Sequence, residues 1–191
     1  MDFEKPSFAF VLFDGRLAPI LFRSFYREYA QSIPLLGSET VLDLGCGAGG
    51  IARWLAPRLQ PSGSLVCLDP CPPLIRIAAH RVRGFPNVRC LVGTIRTVDL
   101  RDAAFDRIVI HNALHDIPSG ERIETVVALE RVLRPGGTIH LREPTKPSHG
   151  IAPAAVRSLM EQAGLRGMRS RQYSRFPIGS VVDAVFEKPK R

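Results

Sequence analysis

Nowhere in its 191 residues does the chain string together the roughly 18 to 20 uncharged apolar residues of a membrane-spanning helix, so no membrane span is expected. The first thirty residues carry acids and lack the order of basic, apolar and cleavage regions that marks a signal peptide, so a cytoplasmic location is expected. Cysteine is scarce: Cys46, Cys67, Cys71 and Cys90 form no C-x-x-C pair, which excludes a disulfide framework and suits buried reduced thiols. The nearest approach to a ligand set is Cys67, Cys71 and His80, and no metal site is expected. There is also no internal repeat, low-complexity tract or linker.

What is present is ordinary for a folded chain: 45% hydrophobic and 23% charged residues, enough for one domain with a real core. Charge is uneven. The formal net charge is +8, and residues 151–191 hold eight basic residues against three acids. In "LRGMRSRQYSR", Arg166, Arg169, Arg171 and Arg175 lie near Tyr173, a strip that a polyanion such as RNA would favour and that a plain solvated surface would also explain.

Apolar runs of strand length, "TVLDL", "SLVCLD", "VRCLV", "DRIVIHN" and "TIHLRE", alternate with segments of helical spacing, the pattern of a parallel sheet covered by helices. Gly49 to Ala56 before Pro57, the segment opened by Pro72-Pro73, and Arg122 to Leu133 before Pro135-Gly136-Gly137 read as helices. "MRSRQYSR" and "SVVDAVFEKP" read as two closing strands around a turn at Pro177 to Gly179, an antiparallel addition. Ahead of all this, Leu17, Ile20, Leu21, Phe25 and Tyr29 follow a helical stripe in an aromatic arm, residues 1–35, which reads as packing on the sheet; residues 36–191 form the domain proper.

The stretch "VLDLGCGAGG" admits two cofactors. Gly45, Gly47 and Gly50 fit the dinucleotide pattern, whereas Asp43 with Gly45, Gly47 and Gly49 fits the S-adenosylmethionine pattern. A carboxylate beside the turn opposes a pyrophosphate and welcomes a sulfonium with its ammonium group, which favours the second. Asp69 closes "SLVCLD" nineteen residues after Gly50, where an acid can take both hydroxyls of an adenosine ribose, and both cofactors have one.

Taken together, "VLDLGCGAGG", "LDP", "FDRIVIHNALHDIP" and "RVLRPGGTIHLREP" resemble the class I S-adenosylmethionine-dependent methyltransferases over roughly Thr40 to Pro144. The resemblance implies an α/β, Rossmann-like, doubly wound sheet of seven strands, mostly parallel with one antiparallel. It also implies that Asp43, Gly45, Cys46, Gly47 and Gly49 surround the methionine part, that Asp69 holds the ribose, and that Pro70, Thr94 and Ile95 flank the adenine. Two positions depart from the family: Thr94 stands where an acid is common, and Cys71 where a Ser helix cap is common.

Residues after the fourth strand face the methyl in such enzymes. Here they include His111, Asn112, His115 and Asp116, with no N/D-P-P-Y/F motif of the kind used on adenine or glutamine amino groups. His111, which would also lie beside the cofactor, is the candidate general base for a hydroxyl acceptor, and His115 is a candidate for positioning. His140 and His149 carry no signal. A small-molecule acceptor is expected; RNA methylation, or a cofactor-binding module without catalysis, is the alternative. The sequence does not specify an oligomeric state.

Overall fold

The computed structural model describes residues 7–146, 148–176 and 178–190. Contacts divide the chain into two compact units, residues 1–98 and 99–191. None of its helices is long and apolar enough to cross a membrane among the described residues.

In the first unit, β1 (Thr40–Leu44), β2 (Ser64–Asp69) and β3 (Val88–Val92) pair in parallel in the order β3-β2-β1. Every residue of β1 and β2 after the first is buried, as expected of strands covered on both faces. Between β1 and β2 the expected helix from Gly49 shrinks to α4 (Ala52–Leu55) and a 3-10 turn, Ala56–Arg58. Gly49 has φ +78, which no right-handed helix accepts, so helical geometry starts only after the glycine turn is complete. Helix α5 (Pro72–Val82) follows β2, its two prolines in the first turn as expected.

The arm precedes this sheet as α1 (Phe8–Leu12), a π-helical turn (Phe13–Leu17), α2 (Ala18–Leu21) and α3 (Arg23–Ser32). The expected stripe is corrected here: Leu17, Ile20 and Leu21 are 48%, 74% and 66% exposed, whereas Phe25 and Tyr29 are buried. Gly15, Ala18, Phe25 and Tyr29 face inward, with Val11 and Phe22 half-buried between them, a spacing of alternating four and three residues; Pro19 and Ala30 beside them are buried as well. At 3.6 residues per turn the alternating positions share one helical face, and Leu17, Ile20 and Leu21 project from the others, so the expected stripe followed apolar residues that the helix turns outward. Residues 1–6 of the arm, and Pro177 of the expected closing turn, lie outside the described residues.

In the second unit, β4 (Phe105–His111) pairs in parallel with β5 (Leu133–Lys146); β8 (Gly179–Glu187) runs antiparallel to β5 and to β7 (Arg166–Arg175). The two-residue β6 (His149–Gly150) folds back on β5. Helix α6 (Arg122–Val132) connects β4 to β5, and α7 (Pro153–Gln162) leads to β7. β8 therefore runs against both of its neighbours, and the Arg strip is β7, exposed over most of its length. Arg166 pairs there with Glu187 and Arg171 lies 5.2 Å over Tyr173, so part of the strip is engaged within the protein.

Candidate active site

The turn after β1 is built around positive φ: Gly45 at +66, Gly47 at +51 and Gly49 at +78. A side chain at Gly47 would be strained there and its Cβ would also lie 2.9 Å from the Asp14 carboxylate, so this position admits no larger residue. Asp69 fastens the turn to the end of β2. Its Oδ2 accepts the Gly47 N–H at 2.9 Å, and its Oδ1 accepts the Cys71 N–H at 2.9 Å. Cys71, at the expected cap position of α5, makes no side-chain cap; its own N–H is the one Asp69 accepts, and the fully buried thiol packs with Ala48 and Leu74. Cys46 and Cys67 are buried free thiols, and His80 is exposed on α5, so the Cys67, Cys71 and His80 set is not assembled.

Asp43 is 1% exposed, and its Oδ2 has no hydrogen-bond partner among the described residues. Burial, reinforced by the charge of Asp69, pushes its carboxyl up to about 8. Asp14, which carried no signal in the sequence, arrives from the π turn of the arm and accepts the Ala48 N–H at 3.3 Å. Arg81 of α5 holds it in place from behind by donating to the carbonyls of Gly15 and Ala48. Pro70 is half-buried and Ile95 buried; Thr94 is exposed, its N–H donating to Thr97 Oγ1 at 2.9 Å and its hydroxyl accepting the Arg96 N–H at 3.3 Å.

In the second unit, His111 ends β4 and is 7% exposed. Burial first, and the Arg142 guanidinium second, depress its imidazole to about 3, so it stays neutral. The next residue, Asn112, holds φ +53, an uncommon left-handed turn for a residue with a side chain, and starts the loop that leads to a 3-10 turn, Leu114–Asp116. That loop is gripped by one side chain, Glu143 of β5, fully buried. Its Oε1 accepts the N–H of Ala113 at 2.9 Å and of Leu114 at 2.7 Å, and its Oε2 accepts the N–H of His115 at 3.2 Å. The same Oε2 lies 2.6 Å from His115 Nδ1. Burial opposes the imidazolium of His115, but the hydrogen bond and charge of Glu143, with Asp116 behind, outweigh it and raise its pKa. Arg122 of α6 completes the loop by donating to the carbonyls of His115 and Ile117, each at 2.8 Å. Sequence reasoning missed Glu143, whose partners lie about thirty positions upstream.

A glycine turn beside a strand-ending aspartate, and a tightly held loop after a fourth strand, define a nucleoside-cofactor enzyme of the α/β class. The methyltransferase domain family matches residues 41–137, just over half of the chain, and the chain belongs to that family. An uncharacterized methyltransferase of Mycobacterium tuberculosis is 38% identical over 60% of this chain and 55% of its own length. The demethylmenaquinone methyltransferase of Lactobacillus johnsonii is 24% identical over 65% of this chain and 52% of its own. The chain thus spans about half the length of the curated relatives it matches. Among solved structures, the N-methyltransferase NodS of Bradyrhizobium japonicum, in complex with S-adenosylhomocysteine, superposes with a TM-score of 0.74 at 18% identity, covering 98% of this chain and 95% of that one. The fold is accordingly Rossmann-like α/β, and the cofactor is S-adenosylmethionine. The residues present fit it: the buried Asp43 Oδ2 has no hydrogen-bond partner among the described residues, and Asp69 stands at the end of β2 beside the glycine turn.

Proposed function

We propose that the chain transfers a methyl group from S-adenosylmethionine to a small-molecule acceptor. The sulfonium supplies an already activated methyl, so the protein's part is alignment of donor and acceptor. Asp69 would take the ribose hydroxyls on the lone pairs its two backbone bonds leave, since a carboxylate offers about four acceptor sites. Asp43 would meet the cationic methionine end with Gly45, Cys46, Gly47 and Gly49 around it, and Pro70, Thr94 and Ile95 would border the adenine. The arm would cover this end through Asp14.

The observation that carries the acceptor class is the loop from Asn112 to Pro118, pinned by Glu143 and bearing the imidazole of His115 in place of an Asn-Pro-Pro clamp for planar amino groups. The name of the relative called demethylmenaquinone methyltransferase, which is that of an enzyme acting on a non-polymeric acceptor, supports the same reading. His111 serves here as a neutral hydrogen-bonding group beside the acceptor. With its pKa near 3 it is a poor proton acceptor, so turnover is expected to show no rise with pH that His111→Ala removes. To test the acceptor class, the protein is incubated with methyl-labelled S-adenosylmethionine and with separate pools of hydroxylated or quinol small molecules and of RNA. Label should enter the small-molecule pool; label in RNA alone overturns the reading and returns the Arg strip of β7 to prominence.

A further inference from the structure

The pinned loop also brings together three residues that no family motif groups. We propose that His115, Asp116 and His149 bind a zinc-type divalent cation, with Glu143 orienting His115 as the carboxylate behind the ligand. His115 Nε2 lies 3.2 Å from His149 Nε2 and 3.4 Å from Asp116 Oδ1, and the three donor atoms all fall within 4.8 Å of one another. Zinc with bonds of about 2.0 to 2.1 Å at tetrahedral angles sets its ligand atoms about 3.3 Å apart, so the separations measured from His115 already suit a common ion.

The chemistry of His115 points the same way. Glu143 Oε2, 2.6 Å from Nδ1, draws the ring proton to that nitrogen and leaves the Nε2 lone pair directed at the other two residues. Nε2 is thus the nitrogen that faces both the Asp116 carboxylate oxygen at 3.4 Å and the ring nitrogen of His149 at 3.2 Å. A single proton on Nε2 satisfies one of its two neighbours, whereas a divalent cation satisfies all three donor atoms together. Two imidazoles and one carboxylate select zinc and its transition-metal neighbours over calcium or magnesium, which prefer all-oxygen sets.

The positions are held by the fold. His115 is fixed by Glu143 and Arg122, its side chain only 4% exposed, and the ring of His149 meets it edge-on with centroids 4.5 Å apart. His149 is placed by the short β6 hairpin, in which it pairs with Lys146, while the Ile151 N–H donates to the Pro144 carbonyl. Asp116 and His149 are both exposed, so an ion reaches the site directly from solvent. Three protein ligands leave a fourth position open, as in catalytic rather than structural zinc sites. An acceptor oxygen could fill it and lose its proton more readily; that last point rests on the proposed methyl transfer, and the binding site itself does not.

The test uses the full chain after chelator treatment, titrated calorimetrically with zinc chloride and, for geometry, with cobalt(II) followed by visible absorption. One equivalent of zinc should bind, and one of cobalt should give the intense bands of a tetrahedral site. H149A, a change at an exposed position, should weaken zinc about 100-fold or more, and E143Q about 10- to 100-fold, the usual range for a group behind a ligand. S-adenosylhomocysteine is titrated separately, so failure of the metal site is distinguishable from failure of the methyltransferase reading. Absence of a zinc equivalent, or one that survives H149A unchanged, overturns the proposal and leaves His115 as an imidazole held by protons alone.

Discussion

Around the glycine turn of the first unit three carboxylates gather, Asp14, Asp43 and Asp69, while Arg81 nearby donates to the carbonyls of Gly15 and Ala48. In the second unit one carboxylate, Glu143, is buried more deeply and yet fully occupied by three backbone N–H groups and an imidazole. The first arrangement is electrostatically unfinished: Asp69 raises the pKa of Asp43, and one Asp43 oxygen has no hydrogen bond among the described residues. The second is complete at the carboxylate and unfinished only beyond the imidazole. A crowd of acids with one held protonated is suited to receive a cationic ligand, whereas a satisfied buried acid is suited to make a loop rigid.

The most severe way to break this contrast is Asp69→Ala. Two backbone N–H groups lose their acceptor and, on the proposed function, the ribose would lose both of its bonds, so cofactor binding should weaken by about 2 to 4 kcal/mol and folding stability should fall by about 1 to 3 kcal/mol. Calorimetry with S-adenosylhomocysteine and thermal unfolding measure the two losses. If the variant melts and binds as the parent does, Asp69 neither fastens the turn nor holds the ribose.

A sharper probe is Asp43→Asn. With a folded pKa near 8 and an unfolded value of about 3.9, the folded chain keeps a proton that the unfolded chain has lost. Stability of the cofactor-free protein therefore falls as pH rises from about 4 to 8, by up to about 1.4 kcal/mol per pH unit, and levels off above. The amide removes that dependence, so the melting temperature of the variant should gain on the parent between pH 5 and pH 8 while cofactor affinity drops. A constant gap across that range would show that the carboxylate is already ionised and settled. The smallest effect is expected at Thr94→Val. The exposed hydroxyl closes its own turn with Thr97 and Arg96, so cofactor affinity should change by less than about 1 kcal/mol; a larger loss would place that hydroxyl on the adenine.

The same contrast separates what was legible in the chain from what was not. Strands β1, β2 and β4 announced themselves as apolar runs because both of their faces are covered, and the glycine turn did so because positive φ demands glycine at fixed offsets. Asp69 was legible as a strand-ending acid, although its hold on Gly47 and Cys71 was not, since that requires the two turns to meet. The arm was misphased because small residues, Gly15 and Ala18, take inward positions while the larger apolar Leu17, Ile20 and Leu21 stay exposed, and apolar character alone does not tell the two faces apart. His111 was singled out as a base from its place after β4; burial and Arg142, seen only in the fold, depress its basicity.

By itself the sequence determined the alternation of strands and helices, the glycine turn with its neighbouring aspartates and, through their order, the family, because these features are set by residues close together in the chain and by backbone conformations that few residue types adopt. Only the tertiary structure decided that Asp14 closes over Gly47, that Cys71 is packing rather than a cap, and that Glu143 grips His115 beside His149. Those contacts join positions about thirty residues apart, and the charges, tautomers and burial they impose exist only once the strands have been paired and the loops brought together.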